Sequence, residues 1–245
     1  MSKTYEALKR AEALRAGNEQ GGRPETRQEP LTGDLPTTGA DDFYELRQRL
    51  VGAAVGDTIK SVMVVSALHG EGTSTVACLM AKALAERGRS NALLVDLNLR
   101  TPSLWRLMDA KGRDGITGVV AEKHTVDDVI QETEFDGLKL ITAGNGEVDA
   151  IDVIDNPRTL EVVTELGRHA DAVFLDAPPI TLYPDARALA PLVDGVILVV
   201  EADVTPVGVA NRAVELIRES GANIVGAVLN KRRDYIPERV LQLIG

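Results

Sequence analysis

The sequence predicts an α/β protein: a doubly wound, mainly parallel sheet enclosed by helices in three α/β/α layers. Three observations carry that expectation. Six apolar runs of strand character, "SVMVVSA", "NALLVD", "LKLITA", "AVFLD", "GVILVVEA" and "NIVGAVLN", recur along the chain with helical patterns between them. These runs are continuously apolar instead of alternating, which is what a strand covered on both faces requires. The 245 residues suffice for one sizeable core, and strands alternating with helices build a parallel sheet.

The elements follow in chain order. Residues 1–17, "MSKTYEALKRAEALRAG", place Tyr5, Leu8, Ala11 and Leu14 at three-residue spacings and stop at Gly17. They read as an amphipathic helix that docks either on the chain's own body or on another subunit. Residues 18–40 are polar and rich in Gly, Pro and Thr, the composition of a flexible linker. The folded domain is expected over 41–245, opening with a helix over 41–52. The helix from Ser74 to Arg87 carries mostly Val, Ala, Leu and Met before Gly88, as a central helix enclosed by neighbours would. In "TPVGVANRAVELIRESG", Thr205 reads as N-cap, Pro206 as the first helical residue and Gly221 as the stop. Val207, Ala210, Val214 and Ile217 form the stripe expected to meet the sheet.

Composition narrows the function classes. A net charge of −10 disfavours binding to nucleic acid or anionic lipid through the overall field. The densest basic cluster, "NKRRDY" at 230–235, reads as a solvated turn. No apolar run approaches the roughly 20 residues a membrane span needs, and the N-terminus is too charged for a secretory signal. The closing "VLQLI" is too short for firm membrane binding. Cys78, the single cysteine, reads as a small buried residue in a reducing compartment, so a cytoplasmic location is expected. Trp105 is expected to pack. His69 lies in the glycine loop, where it could touch a phosphate, but it is expected to face solvent; His124 and His169 have no partners at metal-ligand spacing.

A sheet of this kind binds its ligand beyond the carboxyl ends of the strands. After the first strand comes "SALHGEGTST", where Gly70 and Gly72 let backbone amides turn inward around an anion. The helix that follows aims its amide dipoles at the same spot. The pattern G-x-x-x-x-G-K-[ST] is broken twice, by Ala67 at the first glycine and Thr73 at the lysine. Two further strands end in Asp96 and Asp176, and two acids beside a glycine loop can hold Mg²⁺ near a phosphate.

Taken in order, "SKTYEALKRAE", "DDFYELRQRL", "HGEGTSTVA", "LLVDLNLRTPSL", "VFLDAPPI" with "PDA", and "DGVILVVEADVT" with "GAVLN" cover nearly the whole chain. In these segments it resembles the bacterial tyrosine kinases of exopolysaccharide and capsule synthesis. Those kinases are a branch of the deviant P-loop ATPases, which include chromosome-partitioning and division-site ATPases. The most specific part is the D-x-x-x-R-x-P pattern of Asp96, Arg100 and Pro102. The resemblance implies a P-loop NTPase fold taking ATP or ADP with Mg²⁺. Gly72, Ser74 and Thr75 would surround the β-phosphate, with Gly70 and Thr73 completing the loop. Ser74 would hold Mg²⁺, Asp96 would lie near the γ-phosphate, Asp176 would be a further metal acid, and Asn230 would contact adenine.

The departures from that family pattern set the functional expectation. The loop lysine is Thr73 and the second acid of D-x-D is Asn98. The usual E-x-x-R-x-x-R subunit contact reads Asp41, Tyr44, Arg47, and the tyrosine-rich tail is absent, with only Tyr235 near the end. Loss of one preorganised donor slows a reaction by about 10² to 10³. Thr73 offers a hydroxyl without charge, and Asn98 removes a negative charge nearby, so the pair reads as lost together. The first reading is therefore an accessory protein of exopolysaccharide synthesis and export with weak or absent catalysis and weak or absent nucleotide binding. By the resemblance it contacts the cytoplasmic segment of an inner-membrane polysaccharide co-polymerase or chain-length regulator, forms homo-oligomers, and meets the membrane only through that partner. The second reading is an active ATPase or tyrosine autokinase with Arg100, or a cation from a neighbouring subunit, in place of the lysine. The structural role of Arg100 would be pairing with Asp96 or capping a helix. Lys60 lies at the wrong end of the sheet, and Lys82 two helical turns past the loop. A partitioning ATPase is the third reading, opposed by the acidic charge and the D-x-x-x-R-x-P pattern.

Overall fold

The structure is a computed structural model that describes residues 59–85, 91–111, 114–145 and 150–232. The helix expected at 1–17, the linker at 18–40, the helix at 41–52 with Asp41, Tyr44 and Arg47, and the ending with Tyr235 lie outside the described residues.

Strands β1 (Ser61–Ser66), β2 (Ala92–Asp96), β3 (Gln131–Glu132), β4 (Leu138–Ile141), β5 (Ala172–Asp176), β6 (Gly195–Glu201) and β7 (Ile224–Asn230) form one sheet. Their order is β3-β4-β2-β5-β1-β6-β7. Every pairing is parallel except β3 with β4. The described α-helices are α1 (Thr73–Ala85), α2 (Leu104–Leu107), α3 (Ile116–Val120), α4 (Val126–Val129), α5 (Ala150–Ile154), α6 (Arg158–Leu166), α7 (Pro184–Leu189) and α8 (Val207–Glu219). All six apolar runs are strands. The extra strand, β3, is two polar residues on the sheet edge, and "QE" carries no apolar signal to announce it; its Glu132 meets Lys139 of β4 at 3.1 Å.

The continuous apolar runs have the cause expected of them. Val62 and Val64 of β1 pack to one side with Val76, Ala77, Met80 and Ala81 of α1. Met63 and Val65, pointing the other way, join the core on the opposite face with Val162 and Leu166 of α6 and Leu216 and Ile217 of α8. Each fully buried branched side chain contributes about 1.5–3 kcal/mol, so an alternating strand would forfeit one of the two cores. Cys78 is buried in α1, as expected.

Two expectations are corrected here. Thr205 does not cap α8: Pro206 holds the N-cap position, its carbonyl accepting Val209 N–H at 2.9 Å and Ala210 N–H at 3.1 Å. The Thr205 hydroxyl is drawn instead to the buried Glu71 carboxylate and also accepts Glu201 N–H at 2.9 Å. The buried face of α8 is accordingly Ala213, Leu216 and Ile217, whereas Val207 is 76% exposed. Trp105 does not pack inward either. In α2 the inward positions, three apart, belong to Leu104 and Leu107, which leaves the indole 41% exposed beneath the Arg106 guanidinium.

Candidate nucleotide site

β1 delivers the chain into the glycine loop at the middle of the sheet. Gly70 (φ 80°) and Gly72 (φ 90°) are left-handed, where side chains are strained. A Cβ on Gly72 would stand 2.3 Å from Asn230 Nδ2, so the glycine is required twice over. Between them the buried Glu71 carboxylate accepts Leu68 N–H at 2.8 Å and the Thr205 hydroxyl. Asn230, at the end of β7, donates through Nδ2 to Glu71 O at 2.8 Å and accepts Lys231 N–H at 2.9 Å. Lys231 Nζ donates to Gly70 O and lies 3.0 Å from the Glu201 carboxylate. The ends of β6 and β7 thus staple the loop. Lys231 belongs to the basic cluster read as a solvated turn, and the tertiary fold brings it to the loop instead. Asn230 retains one further donor and one lone pair after these contacts.

The first turn of α1 holds Thr73, Ser74 and Thr75. Val76 N–H bonds back to Gly72 O at 2.9 Å, and the first amides of a helix have no intrahelical acceptors of their own. Thr73, in the lysine position, is buried.

Asp96 and Asp176 are register partners on β2 and β5, both fully buried. Ser74 Oγ donates to Asp176 Oδ2 at 2.5 Å, and Ser103 Oγ donates to Ser74 Oγ at 2.9 Å. Asp96 accepts three backbone N–H groups, from Asn98, Ser103 and Leu104, each at 3.1 Å. It therefore closes the turn between β2 and α2, a helix with no side-chain cap of its own. Burial pushes the Asp96 carboxyl up to about 7, against the pull of those three donors. Asp176 is pushed well above the carboxylate range by burial and then by the charge of Asp96. Donors to the ionised form favour it, so the three amides at Asp96 and the Ser74 hydroxyl at Asp176 oppose the upward push of burial.

Asp176 Oδ1 is buried without a hydrogen-bond partner. A buried carboxylate oxygen left in that state calls for a proton or a cation. With the Ser74 hydroxyl it supplies the hard oxygen donors that Mg²⁺ takes, so the residues present fit that ion. Among the described residues no group of three His, Cys, Asp or Glu side chains is placed to hold a metal by itself.

Arg100 pairs with Asp185, whereas Asp96 takes backbone amides. Its Nε and Nη2 reach the two oxygens of Asp185 in α7 at 2.8 and 3.1 Å, and its guanidinium lies 5.2 Å from the Tyr183 ring centroid. Asp96 is already engaged by amides, whereas the Asp185 side chain is only 4% exposed and has a bidentate partner in this fork. His69 is exposed, as expected, with Nε2 at 2.9 Å from Tyr183 Oη. Asn98 is buried, its Oδ1 accepting Thr101 N–H at 3.3 Å and the Thr101 hydroxyl at 3.2 Å. Lys82 sits over the Phe135 ring at 3.9 Å. His124 and His169 face Asp114 and Asp127 at 3.5 and 3.3 Å.

The structure brings the loop, both acids, Ser74 and Asn230 to one end of the sheet, and places beside them Glu71, Ser103, Tyr183 and Lys231, which the sequence reading did not single out. One signal was available for Lys231: it directly follows a strand-end residue on the ligand side of the sheet.

Comparison with known proteins agrees with this geometry. A family profile described as ParA, "NUBPL iron-transfer P-loop NTPase", matches residues 58–238. The chain is 28% identical over 194 residues to the tyrosine-protein kinase YwqD of Bacillus subtilis, covering 79% of this chain and 81% of that one. It is 28% identical over 182 residues to the tyrosine-protein kinase CpsD of Streptococcus agalactiae, covering 74% and 79%. The succinoglycan biosynthesis transport protein ExoP of Rhizobium meliloti is 25% identical over 202 residues, which is 81% of this chain and 26% of that protein. Among solved structures, the kinase domain of the Escherichia coli tyrosine kinase ETK superposes with a TM-score of 0.74 at 22% identity over 89% of each chain. The septum site-determining protein MinD with Mg-ADP, from Pyrococcus horikoshii, gives 0.61 at 25% identity over 76% of each. The matched span takes in every described strand and the whole glycine loop, and on that ground the chain belongs to the ParA family of P-loop NTPases.

Proposed function

We propose that this protein is an accessory or regulatory component of exopolysaccharide synthesis and export, built on a tyrosine-kinase-type nucleotide site whose phosphoryl transfer is impaired. The observation that carries the reading is the buried Thr73 at the lysine position, coupled with Asn98 in place of the second acid. In phosphoryl transfer the protein works by positioning and by opposing developing negative charge, and the lysine supplies that charge at the β- and γ-phosphates. A hydroxyl cannot.

On this reading Gly72, Ser74 and Thr75 offer their amides to the β-phosphate, with Gly70 and Thr73 shaping the loop. Ser74 and Asp176 hold Mg²⁺, and Asp96 orients Ser103 and the turn before α2. Held by these residues, Mg²⁺ would supply positive charge against the phosphate oxygens. Asn230 positions the loop from outside and offers its remaining donor to a base. The relative named as a succinoglycan biosynthesis transport protein supports the polysaccharide setting. The partner proposed is the cytoplasmic segment of an inner-membrane polysaccharide co-polymerase or chain-length regulator, with self-association alongside it and nucleic acid not a ligand. Among the described residues no helix is long and apolar enough to cross a membrane, so membrane proximity comes through that partner.

Phosphate release from Mg-ATP tests the reading. The wild type is expected to turn over negligibly and Thr73→Lys to gain little. Thr73→Lys with Asn98→Asp is expected to gain about 10²–10³-fold, the usual cost of one preorganised donor. Brisk wild-type turnover that Arg100→Ala abolishes would establish the active-kinase reading instead, with Arg100 or a cation in trans as the replacement.

A further inference from the structure

Without a lysine, the loop offers no fixed positive charge to meet a third phosphate. Two residues lie at its outer end, His69 of the loop itself and Tyr183 after β5. The segment after β5 runs alongside the first half of the glycine loop, with Ile180 N–H on Ser66 O at 3.0 Å and the Thr181 hydroxyl on Ala67 O. The turn that follows is closed by Tyr183 N–H on Pro179 O at 3.1 Å. It carries the phenol over His69, with Oη 2.9 Å from Nε2 and the rings edge to face at 5.4 Å. Arg100 supports the other side of the ring and is itself held by Asp185.

The metal end of the site fixes where a third phosphate would go. Ser74 and the unpartnered, fully buried Asp176 Oδ1 mark the cation position at the head of α1. A cation held there would supply positive charge against the phosphates, and the γ-phosphate of a bound triphosphate would leave the amide cradle towards the start of the loop. His69 immediately precedes Gly70, and with Tyr183 it flanks this exit. Burial lowers the His69 pKa, so the imidazole is neutral near pH 7 and brings one N–H donor without a fixed charge. The phenol brings a second.

We propose that His69 and Tyr183 are the terminal-phosphate recognition pair of this chain, exchanging their mutual hydrogen bond for bonds to the γ-phosphate of a nucleoside triphosphate. The inference rests on the nucleotide-site reading above and deepens it. The pair supplies the discrimination between triphosphate and diphosphate that the lysine supplies elsewhere, but not the charge that drives transfer. Nucleotide state can then be sensed without rapid turnover.

Calorimetric titration of the full chain with Mg-ADP and with the Mg complex of β,γ-imido-ATP tests it. The wild type is expected to bind the triphosphate analogue more tightly. Tyr183→Phe keeps the ring, its edge-to-face packing on His69 and its contact with Arg100 while removing the hydroxyl; His69→Ala removes the other donor. Each should reduce the triphosphate preference about tenfold or more, as loss of a hydrogen bond to a charged group does, with Mg-ADP affinity unchanged and thermal unfolding cooperative. An unaltered preference in both variants overturns the inference and leaves the cradle reading intact. Equal loss for both nucleotides also overturns it, showing that the pair only shapes the loop. If the wild type binds neither nucleotide, the cradle reading falls and the inference with it.

Discussion

Replacing Asp176 by Asn is expected to stabilise the protein at about pH 8 and to change it little at about pH 5. In the folded chain burial raises Asp176 well above its ordinary value, and Asp96 to about 7. The unfolded chain releases both protons near pH 4. Between those limits the native state holds protons that the unfolded state has lost, so stability falls as pH rises from about 4 towards 7 and beyond. One such proton costs about 1.4 kcal/mol per pH unit, which over the three units from pH 5 to 8 sets a ceiling of about 4 kcal/mol for Asp176. Water entry and relaxation lower that ceiling, and a gain on the order of 1–3 kcal/mol is expected for Asp176→Asn at pH 8. The amide oxygen still accepts from Ser74, and the side chain carries no proton to lose beside Asp96. Urea unfolding at several pH values measures the effect. Mg²⁺ at about ten times its Kd should also return about 1.4 kcal/mol to the wild type and nothing to the variant. Wild-type stability that is flat or rising from pH 5 to 8, or a variant less stable than wild type at pH 8, would refute the reasoning.

Two substitutions probe the scaffold of the site. Gly72→Ala puts a methyl where Asn230 Nδ2 lies 2.3 Å away, on a left-handed backbone, and should cost about 1–3 kcal/mol in a denaturant titration; an unchanged midpoint would show that the Asn230 staple is not formed. Arg100→Ala leaves the buried Asp185 carboxylate without its fork and should cost about 3 kcal/mol, with Arg100→Lys recovering only part because an ammonium cannot engage both oxygens. Loss below about 1 kcal/mol would mean the pair is solvated.

The legible parts of this fold were those written in local pattern. Strands buried on both faces are apolar at every position, so β1, β2, β4, β5, β6 and β7 could be read directly. The face of α8 was misread because Val207 fits the helical stripe but lies on the solvent side. Thr205, just before the helix, is held by Glu71, 134 positions away in the chain. Ser103 was invisible because a serine seven residues after a strand-end acid has no signature. It enters the site only through the turn that lays its amide on Asp96. Arg100 was noticed as a cation, but its partner Asp185 is 85 positions away.

The amino-acid order alone determined the alternation of strands and helices, the glycine loop at the head of α1, the acids at two strand ends and the replacement of a lysine by Thr73, since each is a matter of residue type at short spacing. Only the tertiary structure decided that Asp96 and Asp176 lie side by side, that Lys231 and Asn230 clasp the loop, and that Tyr183 meets His69. Those contacts depend on the strand order β3-β4-β2-β5-β1-β6-β7, which joins distant segments by burying shared apolar faces, a collective result that local periodicity does not encode.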